Sequence, residues 1–136
     1  MGFLIDSCIW IDVERGIISP SDVALYTGIN PVYISPVSLA ELGFGLEMAV
    51  DEDIRQKRAS SFERLRKKPL LIIDDGTGLI FARLAADLKK SGRGSSFRIQ
   101  DLWLASQAIQ NNFFFLTINK KDFEDIPGLK LVVFGE

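Results

Sequence analysis

Phe3-Leu4-Ile5-Asp6-Ser7-Cys8-Ile9-Trp10 is the stretch on which the fold turns. A short apolar run ends in a carboxylate, and small polar residues then open an amphipathic segment carrying Ile9, Trp10 and Val13 at helical spacing. Strand, acid, helix is the grammar of a parallel α/β protein, in which ligands gather at the carboxyl ends of the strands. Asp6 therefore seeds a candidate site, and the rest of the chain is read for further acids that could join it.

Working outward, Ser7 is placed to cap the first helix, which stops near Gly16, and Pro20-Ser21-Asp22 opens a second helix ending at Gly28. Val32 to Ser35 reads as a strand, and Pro36 opens a helix with Val37, Leu39, Ala40, Leu42, Phe44 and Leu46 on its apolar side. Gly43 and Gly45 weaken that helix, so close packing is expected around them. Asp51 to Lys68 is a charged helix with a thin stripe of Ile54, Phe62 and Leu65. Its basic cluster, Arg58, Arg64, Arg66, Lys67 and Lys68, is either a solvated face or a contact for a partner or RNA backbone. Leu70 to Ile73 is expected as a third strand, followed by a long helix through Lys90 with Leu79, Ala82, Ala86 and Leu88 inward. Residues 91–96 form the clearest loop. A helix over about Ile99 to Asn111, a strand over Phe113 to Thr117, a short turn over Asn119 to Glu124 and a strand over Leu129 to Phe134 complete the chain. This alternation predicts a three-layer α/β/α domain over residues 1–136, with a mostly parallel twisted sheet and helices on both faces.

Composition narrows the chemistry. The 136 residues, 47% apolar and 25% charged, describe an ordinary globular domain large enough to bury a core without staples. A single cysteine allows no internal disulfide, the apolar N-terminal run breaks at Asp6 before it could be a signal peptide, and no window approaches a membrane span. A cytoplasmic protein with no membrane association is expected. The net charge of −2 argues against a general nucleic-acid coat. Zero histidines exclude Ser-His-Asp and Cys-His catalysis and every imidazole metal ligand. Any metal must then be held by oxygens, which suits Mg²⁺ or Mn²⁺.

The acids that could join Asp6 are Glu41, in the helix after the second strand, Asp101, in the first turns of the helix after the loop, and Asp122, after the Phe-rich strand. Two carboxylates about 4 Å apart repel by about 4 kcal/mol at an effective dielectric of 20, so a cluster of them calls for protonation or a divalent cation. A dication among carboxylates activates water and stabilises charge on a phosphoryl oxygen, which makes phosphodiester hydrolysis the favoured reaction class. The bland alternative stays open: Asp6 as a helix cap, Glu41 as a surface residue and Asp101 as a favourable charge at a helix N-terminus.

The motifs resemble one family. Asp6-Ser7-Cys8-Ile9-Trp10-Ile11 is similar to the opening signature of PIN-domain ribonucleases. Tyr33-Ile34-Ser35-Pro36-Val37-Ser38-Leu39-Ala40-Glu41-Leu42 with Gly45, Asp101 to Ala108, Leu116 to Phe123 and Ile126 to Leu129 resemble that family's later segments, in order and across the chain. The nearest subgroup is the VapC-type toxins of toxin–antitoxin pairs. The resemblance implies a Mg²⁺- or Mn²⁺-dependent endoribonuclease, commonly a homodimer, held inactive by an antitoxin that occludes the site. By position, Asp6, Glu41 and Asp101 match the core acids that hold the metal. The fourth is Asp122, or Asn119 as a ligand or water-orienting group without charge. Cys8 departs from the usual small polar residue and reads as a buried inert thiol or as a redox-sensitive position beside the metal.

Ser7 and Thr117 are hydroxyls that orient carboxylates or water, or else simply cap and turn. Arg93, Arg98, Lys120 and Lys121 lie on rim loops as phosphate contacts or as solvated charges. Apolar side chains on the early helices fit a symmetric dimer. Two other readings follow from the residues. One is a PIN-like binding module weakened by Asn119. The other is a phosphoacceptor domain using Asp74 after Leu70 to Ile73, although such domains place an acid pair after the first strand and here Ser7 and Cys8 follow Asp6.

Overall fold

The computed structural model describes residues 1–92 and 98–136. Its sheet holds four parallel strands in the order β2-β1-β3-β4, from β1 (Phe3–Ile5), β2 (Val32–Tyr33), β3 (Phe114–Thr117) and β4 (Lys130–Val133). The chain leaves β1 for β2 on one side and returns to β3 on the other. The carboxyl end of β1 is thus a topological switch point, the place where open α/β sheets bind ligands.

Strand side chains alternate between the two faces. Leu4 and Phe115 point into one core, shared with Leu84 and Leu88 of α5 (Asp75–Lys90), Leu102, Leu104, Ala105 and Ala108 of α6 (Ile99–Gln110), and Phe123 of α7 (Lys120–Phe123). Phe3, Ile5 and Leu116 point into the other, with Ile9 and Trp10 of α1 (Ser7–Glu14), Val23 of α2 (Pro20–Thr27) and Leu65 of α4 (Glu52–Arg66). Leu39 and Leu42 of α3 (Pro36–Glu47) pack against this second core. Both faces are covered by helices, as the alternating pattern predicts.

Leu70 to Ile73 is not a strand. Ile34 and Leu70 form a single parallel bridge, with Leu71 N–H donating to the Ile34 carbonyl at 2.9 Å, and the ladder stops there. The buried side chain of Gln107 replaces it. Its amide donates to the carbonyls of Leu71 at 2.9 Å and Ile72 at 3.4 Å, while its oxygen accepts from the Ser35 hydroxyl. A side chain on α6 thus satisfies backbone groups that a fifth strand would otherwise pair. Gln107→Leu leaves these partners unsatisfied, and a loss of about 1–3 kcal/mol in denaturant-unfolding stability is expected. An unchanged midpoint would show that water replaces the amide.

Helix α5 buries Leu88 as expected, but Leu79, Ala82 and Ala86 are exposed, and the buried stripe runs through Thr77 and Leu84 instead. A capping box opens the helix: Thr77 N–H donates to Asp74 Oδ1 and Asp74 N–H to Thr77 Oγ1, both at 3.1 Å. On α3, Ala40 and Phe44 face outward, and on α4 so does Ile54. Neither α3 glycine is forced by crowding: a Cβ at Gly43 would meet Phe62 at an ordinary 3.5 Å, and at Gly45 it would meet nothing within 4 Å.

Candidate functional site

The strand register builds the site. Ile5 pairs with Leu116, and Asp6 N–H donates to the Leu116 carbonyl at 2.9 Å, which sets Asp6 beside Thr117 at the switch point. Asp6 occupies the N-cap position of α1, yet its carboxylate makes no capping bond. It accepts from the Thr117 hydroxyl at 2.8 Å instead. Thr117 Oγ1 in turn accepts from Asn119 N–H at 3.0 Å, so a short relay from the β3–α7 turn orients Asp6. The helix-cap reading of Asp6 is thereby displaced. So is the reading of Ser7 as a cap: α1 begins at Ser7, whose hydroxyl donates to Glu41 Oε1 at 3.3 Å and ties α1 to α3.

Asp101 enters from the first turn of α6 and is buried. The three acids feel one another. Burial is the main cause holding the Asp6 carboxyl above its usual range, against the opposing pull of the Thr117 hydrogen bond. Glu41 is raised by burial and then by the charge of Asp6. Asp101 is pushed up to about 6 by burial, and the charges of Asp6, Asp122 and Glu41 add to the shift against the pull of Arg98. Asp122 thus reaches the cluster through Asp101, and it lines a shallow depression with Ile118, Asn119, Lys120 and Lys121. The Cys8 thiol, 3.8 Å from Thr117 Oγ1, is pushed up to about 12 by burial and by Asp6, which favours the inert thiol over the redox-sensitive position.

The donors offered are hard oxygens of carboxylate and hydroxyl, the set that fits Mg²⁺ or Mn²⁺. Among the described residues, however, no group of three acidic or thiol side chains stands at a common ligand spacing. A guanidinium intervenes. Arg98, expected on the rim as a phosphate contact or a solvated charge, faces Glu41 Oε2 from Nη2 at 3.7 Å and Asp101 Oδ2 from Nε at 3.9 Å. Lys120 pairs with Glu136 at 3.3 Å on the surface. Arg93 lies outside the described residues.

Asp74, the acid of the phosphoacceptor reading, is exposed and held below its usual range by hydrogen bonds, first from Gln110 and then from Thr77. It serves as the cap of α5 and lies outside the acidic cluster.

A PIN domain family model matches residues 3–129, nearly the whole chain. The chain belongs to the PIN domain family. Within that family it is 31% identical over 133 residues to a protein named Ribonuclease VapC from Rickettsia bellii, covering 97% of this chain and 96% of the relative. It is 33% identical over 134 residues to Ribonuclease VapC1 of Rickettsia felis, with 97% and 96% covered. Its fold is similar to that of VapBC-5, a toxin–antitoxin system of Mycobacterium tuberculosis, with a TM-score of 0.76, 29% identity and coverage of 98% and 97%. It also shares the fold of VapBC2 from Rickettsia felis, solved bound to a promoter DNA fragment, with a TM-score of 0.82 at 24% identity and coverage of 98% and 99%. Within the fold, Asp6 follows β1, Glu41 lies on α3, Asp101 on α6, Thr117 ends β3 and Asn119 follows it. The family pattern does not mark the Gln107 amide network, whose signal in the sequence is a glutamine set between the small residues Ser106 and Ala108 of α6.

Beside Glu41 lies an apolar groove of about 140 Å³, between α1, α3 and α4 and lined by residues including Trp10, Leu42, Phe62 and Leu65. Trp10 Nε1 is buried and has no acceptor among the described residues. Glu14 and Arg58, paired at 3.6 Å, also line this groove.

Proposed function

We propose that this chain, as one nuclease domain over residues 1–136, is a divalent-metal-dependent endoribonuclease and the toxin of a type II toxin–antitoxin pair. One observation carries the reading: Asp6 sits at the switch point, its carboxylate held by Thr117 and in one charge neighbourhood with Glu41 and Asp101. Names and assemblies of the relatives support the substrate class and the partner.

Asp6, Asp101 and Glu41 would hold Mg²⁺ or Mn²⁺. When bound, the ion supplies a nucleophilic hydroxide from water and stabilises the phosphoryl oxygen. The chain's own groups prepare for this. Thr117 fixes the orientation of Asp6, and Ser7 that of Glu41, which spares both acids the entropy of finding their positions. Asp122 is the fourth acid, supported by its field at Asp101, and Asn119 orients a water beside it. Lys121, with Lys120 once released from its exposed ion pair, contacts RNA phosphates.

The partners are an RNA substrate, a VapB-like antitoxin and a second copy of the chain, all in the cytoplasm. No helix among the described residues is long and apolar enough to cross a membrane. The groove suits an apolar antitoxin segment, and its wall includes Glu41, so an occupant there abuts that acid. Exposed Leu25 and Ile29 at α2 and Leu70, Ile72 and Leu79 near α5 are apolar surface that supports a homodimer.

An RNA cleavage assay tests the reading. Purified chain is expected to cut RNA with Mg²⁺ or Mn²⁺ and to lose that activity on addition of EDTA. Cleavage indifferent to EDTA would overturn the metal-based mechanism. The charge-free Asn119 favours a second reading, a binding module without activity, and that reading requires no cleavage under any dication while the antitoxin still binds.

A further inference from the structure

Arg98 stands in an unusual place for a surface arginine. It is the N-cap residue of α6, with extended backbone (φ −88°, ψ 136°) and no side-chain capping bond, and its side chain is 55% exposed. From there the guanidinium spans two helices, facing Glu41 Oε2 on α3 and Asp101 Oδ2 on α6 at 3.7 and 3.9 Å. Both distances are too long for hydrogen bonds, so the contact is Coulombic and loose. Among the described residues, Arg98 is the cation whose charge favours the ionised form of Asp6, Glu41 and Asp101 alike.

The same two acids are those that would hold the dication. A hard ion needs their oxygens at about 2.1 Å and accepts little distortion. A guanidinium facing one oxygen of each engages the same carboxylates that a dication would need, and does so only loosely.

We infer that Arg98 is the pocket's built-in counter-ion, a guanidinium that bridges Glu41 and Asp101 in the metal-free chain and must give up those oxygens when a dication takes them. The inference rests on the metal-dependent nuclease reading. It makes Arg98 a positioning residue that opposes metal uptake, rather than a contact for substrate. The cost of displacement is bounded by the exposure of the pair, since such ion pairs contribute little and do not hold the fold together.

The test is a calorimetric Mn²⁺ titration of three proteins at one ionic strength: wild type, Arg98→Gln and Lys120→Gln. Lys120 is a control cation from the neighbouring turn whose ammonium pairs with Glu136 instead. Arg98→Gln is expected to bind Mn²⁺ about three- to tenfold more tightly than wild type, and Lys120→Gln to stay within about twofold. Unchanged or weaker binding by Arg98→Gln overturns the inference and leaves the nuclease reading standing. Equal tightening in both variants also overturns it, because a general field would then replace a specific displacement. If neither wild type nor Arg98→Gln takes up Mn²⁺, the metal-based reading fails, and this inference with it.

Discussion

Asp6→Asn is expected to reduce RNA cleavage by more than about a hundredfold, while the metal-free variant melts at or above the wild-type temperature. The activity side follows from position. Groups that only orient a ligand typically change metal affinity or activity by about 10- to 100-fold, and Asp6 is argued to hold the ion itself. The stability side follows from burial. Asp6 is almost fully buried, and burial is the main reason its carboxyl is held above the ordinary range, so the ionised form is costly in the folded chain. Asparagine removes the charge and keeps an oxygen that can accept from the Thr117 hydroxyl, the bond now made at 2.8 Å. A variant more stable than wild type and inactive is the signature of an acid kept for chemistry. Gel-resolved cleavage and thermal unfolding in EDTA at pH 7.5 measure both sides. Retained cleavage would remove Asp6 from the site, and a melting temperature several degrees lower would make it a structural residue.

How much of this was legible in the chain depends on whether a feature is local. The strand–acid–helix start at Phe3 to Trp10 is local, and the structure places each part as the pattern implies. Strand β3 and the buried face of α6 are equally legible, because a Phe-rich run and the spacing of Leu102 and Ala105 need no outside partner to be interpreted. Leu70 to Ile73 fails for the opposite reason. Its composition is that of a strand, but pairing beyond Leu70 is settled by Gln107, more than thirty residues away. On α5 Leu88 is buried as expected, but Leu79, Ala82 and Ala86 are not, because the buried stripe runs through Thr77 and Leu84, and a threonine gives no apolar signal. In the site, the acids could be listed, but their partners could not. That Thr117 serves Asp6 and Ser7 serves Glu41 depends on strand register and on the approach of α3 to α1. By sequence Arg98 is open between phosphate contact and solvated charge; the approach of α3 to α6 gives it a third option, the carboxylates of Glu41 and Asp101.

Metal-free protein is expected to lose thermal stability as pH rises from about 5 to 7.5, and a saturating dication to reverse the trend. The sign follows from the shifts. Asp101 has an ordinary value of 3.8 and is pushed up to about 6 in the fold, with Asp6 and Glu41 raised as well. A carboxyl raised on folding binds protons more tightly in the native state. Its stabilising contribution is complete below 3.8 and is lost as pH climbs through about 6. The chain has no histidine to titrate in that window, and the Cys8 thiol, near 12, lies beyond it. Asp74 is shifted the other way, so its contribution is lost only in acid, below the window. A dication binds the deprotonated acids alone, so its effect should be greatest where the metal-free chain is weakest. At a concentration about a hundred times its dissociation constant it contributes about 2.7 kcal/mol, roughly ten degrees in melting temperature for a domain of this size. Calorimetric or fluorescence melts at pH 5, 6, 7 and 7.5, with EDTA and with Mg²⁺, provide the readout. Asp101→Asn should flatten the metal-free slope and shrink the gain from Mg²⁺. A wild-type melting temperature that stays level or climbs between pH 5 and 7.5 without metal would mean that the acids do not share one desolvated pocket, and the argument for a dication would lose its footing.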